Sequence, residues 1–79
     1  MTIKLQYFGL IAACCGLHKE SMQLPEGSTV ADLRTLLIQK YPDLGSKSFQ
    51  LARNLKIAAD TEVLKEADEL ALLPPFAGG

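Results

Sequence analysis

Seventy-nine residues with 48% apolar content suffice for one small domain with a single core and leave no room for a second. A formal net charge of −1 and a charged fraction of 22% exclude the basic footprint of a nucleic-acid binder and a polybasic membrane-surface segment. A chain this short buries too little to enclose a deep active site, so it points to a module that acts with a partner.

Thr2 to Phe8 alternates, with Ile3, Leu5 and Tyr7 on one side and Thr2, Lys4 and Gln6 on the other, the period of a half-buried strand. Gly9 interrupts it. Leu10 to Cys15 is expected to form a helical turn ending at Gly16. That run is too short for a secretory core and only Lys4 precedes it as a charge, and no stretch is long enough to cross a bilayer as a helix. A cytoplasmic protein is the expectation. His18 to Leu24 reads as a second strand with Lys19, Ser21 and Gln23 on its wet side, ended by Pro25-Glu26-Gly27, a turn signal. The two strands are close enough in sequence to pair as an antiparallel hairpin.

Residues 28–40 switch to helical spacing. Thr29 is placed to cap the first turn, with Asp32 three residues on as the capping-box acid. Val30, Leu33, Leu37 and Tyr41 form one apolar stripe, which Leu36 and Ile38 widen. Pro42 ends the helix. A polar turn over Asp43 to Lys47 leads to a third strand at Phe49, Leu51 and Arg53, a turn at Asn54, and a short partner strand at Leu55 and Ile57. Asp60 to Asp68 is polar and turn-rich, with Val63 and Leu64 expected to dip into the core. Leu70 to Leu73 is a last strand, apolar on both faces. Strands of that kind are normally covered on both sides. In so small a domain the helix covers one face and leaves the other for a partner. The sum is an α+β domain, a mixed sheet with one main helix packed on one face. Its first and last strands run parallel at the centre, as in the β-grasp arrangement. The expected domain is 1–74, followed by a flexible tail, 75–79.

Chemistry-bearing residues are few. Cys14 and Cys15 are adjacent; a disulfide between neighbours closes almost no loop, and two thiols without companion ligands make a poor zinc site. They read as small buried hydrophobes, and no metal site is expected. The lone His18 has no companion at a telling spacing and reads as structural or exposed. The acids Asp60, Glu62, Glu66, Asp68 and Glu69 form a solvated turn or a face that steers the domain toward a basic partner. No nucleophile–base–orienter set is present.

The tail Leu73-Pro74-Pro75-Phe76-Ala77-Gly78-Gly79 is the most informative segment. Two prolines stiffen the exit from the last strand and end ladder pairing, Phe76 offers an apolar anchor, and Ala77-Gly78-Gly79 offers little but backbone and a carboxylate. Such a peptide threads a channel that a β-carbon would block. Its carboxylate, once activated as an acyl-adenylate, is open to a sulfur nucleophile.

Taken together, this tail, Ala52-Arg53-Asn54, Leu64, Glu66 to Leu70, and Ile3-Lys4-Leu5 with Tyr7-Phe8-Gly9 and Gly16 resemble the MoaD/ThiS family of ubiquitin-like sulfur carriers. The Pro-Pro element resembles the molybdopterin synthase small subunit most. The chain departs from the family at Ala12-Ala13, where a charged pair is usual, and at Ala67, where Gly is usual. The resemblance implies a non-catalytic sulfur-donor subunit with a ubiquitin-like β-grasp fold. Gly79 would be adenylated by an ATP-dependent activating enzyme, converted to a thiocarboxylate, and inserted into the large synthase subunit. There it would give sulfur to cyclic pyranopterin monophosphate. Gly78 and Ala77 would permit threading, and Pro74, Pro75 and Phe76 would set the tail's direction. No bound cofactor is implied, and two small subunits flanking a dimer of large ones is the family's usual assembly. The rival readings are a carrier for thiamine or cysteine synthesis and a protein modifier joined to lysines through Gly79.

Overall fold

A computed structural model describes residues 1–74. The chain runs β1 (Thr2–Tyr7), α1 (Gly9–Cys15), β2 (Lys19–Gln23), α2 (Val30–Lys40), a 3₁₀ turn (Pro42–Ser46), β3 (Gln50–Arg53), β4 (Lys56–Ile57) and β5 (Glu69–Leu73). The five strands make one mixed sheet in the order β2-β1-β5-β3-β4. β1 pairs antiparallel with β2 and parallel with β5, and β3 lies antiparallel to both β4 and β5. The α+β, β-grasp architecture expected from the pattern is therefore present, with the two ends of the described chain side by side at the centre.

Alternation decides which side of the sheet forms the core. Leu5 pairs with Leu70 and Tyr7 with Leu72 across the β1–β5 ladder, and Leu51 faces Leu72 from β3; all five side chains are buried. Val30, Leu33 and Leu37, on one stripe of α2, complete that core. Full burial of each such side chain contributes about 1.5–3 kcal/mol before conformational entropy is charged against it. α2 starts as the spacing predicts. The Thr29 hydroxyl accepts from the Asp32 amide at 3.2 Å while the Asp32 carboxylate accepts from the Thr29 amide at 2.9 Å, a complete capping box. α1 ends at Gly16, whose φ of 79° is left-handed and whose amide donates to the Ala12 carbonyl at 2.9 Å, the usual glycine C-cap.

Four expectations are corrected. The segment after Pro42 is a 3₁₀ turn that buries Leu44, not a plain polar turn, because Pro at its start suits a helical φ and Leu44 has core to fill. Val63 is half exposed while Leu64 is buried: a bridge between Thr29 and Val63 is extended there, so neighbouring side chains point to opposite sides. Leu36 lies at the exposed edge of the α2 stripe rather than in it. Cys14 and Cys15, free thiols as expected, are half-buried rather than buried, because α1 ends before its last turn is covered.

Candidate functional site

The face of the sheet away from α2 has a different composition from the core face. Lys4, Gln6, Lys19 and Ser21 project from β1 and β2, whereas Ala52, Ile57, Ala71 and Leu73 project from β3, β4 and β5. With Phe8 and Leu55 at its ends, this side forms an open concavity of about 740 Å³ that includes Lys4, Lys19, Glu69, Ala71 and Leu73. One half is charged and the other apolar. Exposed apolar area of this kind, rimmed by polar groups, marks an interaction surface.

Among the described residues Leu55 is the most exposed large hydrophobe, at 98%. It occupies the two-residue turn between β3 and β4 with Asn54, and both have positive φ, 49° for Asn54 and 75° for Leu55. Asn suits that turn and glycine is the usual second residue. A bulky Leu held in the left-handed region costs about 1–2 kcal/mol, a strain of the sort that persists at functional positions. Asn54 is tied down by Asp68: its Nδ2 donates to the Asp68 carboxylate at 3.2 Å, and its Oδ1 accepts from the Glu69 amide at 3.0 Å. Arg53 Nε donates to the same Asp68 at 2.7 Å. Burial works against the Asp68 charge, but the Lys65 amide, Asn54 and Arg53 outweigh it and hold the carboxyl below its ordinary value. The acidic turn is thus partly a structural node that fixes the hairpin carrying Leu55. Glu69, by contrast, lies on the concavity itself.

The chain leaves the domain beside this face. Leu73 pairs with Gln50 and is the last residue of β5, and half-buried Pro74 follows. The parallel ladder sets Tyr7 against Leu72, so Phe8 and Gly9 flank the exit. The side-chain oxygen of Gln50, on the same side as Leu73, is buried and has no hydrogen-bond partner among the described residues, a costly state for an amide. Of the tail residues, Pro74 alone is described. Pro75, Phe76, Ala77, Gly78 and Gly79 lie outside the described residues.

On the core face, Glu20 accepts from Tyr7 at 2.6 Å and from Tyr41 at 2.9 Å, and also pairs with Lys40. Burial opposes its charge, yet bonds from Lys40, Tyr7 and Tyr41 prevail and keep the carboxyl below its ordinary value. Burial, helped by Glu20, pushes the Tyr7 hydroxyl strongly upward. This cluster ties β2 to α2 and is satisfied, which marks a structural brace rather than an acid–base site. Burial also pushes Cys15 up to about 11, with Cys14 and Glu20 adding to the effect; such a thiol is a poor nucleophile. His18 is exposed. Among the described residues, no group of three or more His, Cys, Asp or Glu side chains gathers to hold a metal, and no helix is long and apolar enough to cross a membrane.

Sequence reasoning singled out the tail but missed Leu55 as an exposed turn residue and Gly9 as part of the exit. The unbroken apolar character of Leu70 to Leu73 was the signal for the open face.

The ThiS family model matches residues 5–79. The chain is 36% identical to the molybdopterin synthase sulfur carrier subunit of Mycobacterium tuberculosis over 98% of this chain and 96% of that one. It is 32% identical to the protein of the same name from Chlamydomonas reinhardtii over all of both chains. Among solved structures, a putative molybdopterin converting factor subunit 1 from Pyrococcus furiosus matches with a TM-score of 0.91 at 24% identity, covering 95% of this chain and 98% of the other. Small archaeal modifier protein 1 of Haloferax volcanii matches with a TM-score of 0.84 at 26% identity, over 94% and 97%.

Proposed function

The chain belongs to the ThiS family, and from that premise we propose that it is the sulfur carrier subunit of a molybdopterin synthase. The observation that carries this reading is the position of the exit: β5 brings Leu73 to the apolar half of the concavity, beside Phe8, Ala52 and Leu55, and Pro74 follows it. A partner seated on that concavity receives the tail directly. Docking and delivery are then separate tasks of adjoining parts, the sheet face supplying affinity and Gly79 the reacting group.

In this reading an activating enzyme transfers AMP from ATP to the Gly79 carboxylate and releases pyrophosphate. A sulfide-level donor displaces the AMP and leaves a thiocarboxylate. The large subunit accepts the tail, and sulfur passes to cyclic pyranopterin monophosphate while Gly79 returns to a carboxylate. The domain contributes no acid or base, in keeping with its satisfied Glu20 and Asp68 clusters. The apolar half of the concavity suits an apolar patch on the large subunit, and Lys4, Lys19 and Glu69 at its edge suit a mixed-charge rim. The protein is expected to act in the cytoplasm, as one of two small subunits on a dimer of large ones.

Intact mass after incubation with ATP, an activating enzyme and a sulfur source tests the reading. Exchange of oxygen for sulfur has nearly the mass of one oxidation at Met22, Cys14 or Cys15, so a chain lacking Gly79 runs alongside. A gain that needs both ATP and Gly79 supports the carrier. Its absence with a competent activating enzyme overturns it. The likeness to an archaeal modifier protein favours one second reading, conjugation of Gly79 to target lysines. A ladder of high-mass conjugates in cells that vanishes without Gly79 is its signature.

A further inference from the structure

Gly9 is the first residue of α1, with φ of 56°. The left-handed region is the ordinary reason for a glycine, but in this domain it is not a sufficient one. Asn54, Leu55 and Ala67 all hold positive φ, at 49°, 75° and 67°, with side chains in place. What distinguishes Gly9 is a neighbour. A β-carbon built on it would stand 3.3 Å from Cγ of Pro74, and among the described residues that is the one atom it would meet within 4 Å beyond its chain neighbours and the nearby backbone of its own helix. Gly16 and Gly27, the other two glycines at positive φ among the described residues, have no described atom within 4 Å of the same position.

Pro74 is the first residue after β5. Its ring locks φ, so moving the ring turns the backbone with it. A side chain at position 9 would displace the ring by a few tenths of an ångström at the root of a tail that continues for residues 75–79. The ring stands at the root of that tail, so a change in its seat alters the direction in which the chain leaves β5. A misplacement of about 1 Å in a reacting group can lower a rate by about 10²-fold.

We propose that Gly9 is a positioning residue for the reacting C-terminus: its bare backbone seats the Pro74 ring and so sets the direction in which the tail leaves the domain. The inference rests on the carrier reading given above. Among the described residues Pro74 is the neighbour that a side chain at position 9 would meet, so the effect of Gly9 runs through Pro74. It therefore acts on turnover, while the sheet face governs affinity.

The test uses the full-length chain carrying a C-terminal thiocarboxylate made by intein cleavage. Single-turnover sulfur transfer to the pyranopterin precursor is followed with the large subunit present. Gly9→Asn is the informative variant, because Asn tolerates left-handed backbone yet adds the β-carbon. It is compared with wild type in the Pro74 background and in a Pro74→Ala background. The expected result is a loss of about tenfold or more in the transfer rate constant with Pro74 present, and less than about twofold with Pro74→Ala. Half-saturating carrier concentration and melting temperature stay near each parent's. Equal losses in both backgrounds would show a purely structural role, and a wild-type rate for Gly9→Asn in the Pro74 background would show none; either overturns the inference. A wild-type thiocarboxylate that transfers no sulfur to the precursor refutes the carrier reading itself, and this role with it.

Discussion

The two faces of the sheet are built from the same strands and have opposite fates. On the inner face Leu70 and Leu72 are buried against Leu5, Tyr7, Leu51 and α2. On the outer face Ala71 and Leu73, from the same strand, stay half-open beside exposed Phe8, Leu55 and Ile57. Apolar composition alone therefore does not define a core. The inner face has a helix to cover it, and among the described residues no element covers the outer face. The inner face holds the fold and the outer face is free to bind, so substitutions on the two should separate stability from association.

The largest effect is expected from Leu72→Ala, which empties a fully buried site and should lower unfolding free energy by about 2–5 kcal/mol in urea titration. An equal loss from Ile57→Ala on the outer face would break the contrast. Glu20→Ala should cost about 1–3 kcal/mol by leaving the Tyr7 hydroxyl unpaired, without changing association with the large subunit. Because the folded Glu20 carboxyl lies below its ordinary value, its stabilising contribution is present above about pH 4.5 and is lost as pH falls through the folded value. The variant should therefore show a shallower acid limb. It should not be flat, since Asp68 is depressed as well.

Ile57→Asp should weaken binding of the large subunit by about tenfold, read by calorimetry, with stability within about 0.5 kcal/mol of wild type. The smallest effects sharpen the contrast most. Ala67→Gly and Leu55→Gly both relieve left-handed strain and should each raise stability by about 1 kcal/mol in thermal unfolding. Ala67→Gly should leave binding untouched. Leu55→Gly should make the fold more stable and the complex weaker, an outcome that assigns Leu55 to the interface rather than to the domain.

The departure at Ala67 acquires a physical meaning here. The family's usual glycine falls where φ is 67° and where the amide of residue 67 donates to Thr2 at 2.9 Å, so the chain tolerates strain to keep that bond. The departure at Ala12-Ala13 is equally plain. Ala12 is buried on the inner side of α1, Ala13 is exposed, and Leu10 stands 75% exposed beside them.

Much of the fold was legible because it is encoded locally. Alternation in Thr2 to Tyr7, the capping box at Thr29 and Asp32, the stripe of Val30, Leu33 and Leu37, and the glycine stop at Gly16 are short-range patterns that mean the same in many contexts. The parallel pairing of the end strands was read from the order of the elements, and the role expected of the tail from the Pro-Pro-Phe-Ala-Gly-Gly ending and the family resemblance. Val63, Leu44 and the brace of Glu20 with Tyr7, Tyr41 and Lys40 were not legible, because their burial depends on segments 13 or more residues away or on a bridge such as that between Thr29 and Val63.

By itself the sequence determined the class of fold, the main helix and the chemistry available at the C-terminus, since periodicity, caps and a side-chain-poor tail are properties of neighbouring residues. Only the tertiary structure decided that Leu55 is presented in a strained turn, that one side of β5 stays open, and that Gly9 meets Pro74. These depend on strand register and on contacts between residues as far apart as the two ends of the described chain, and register is settled by packing the whole sheet against its helix.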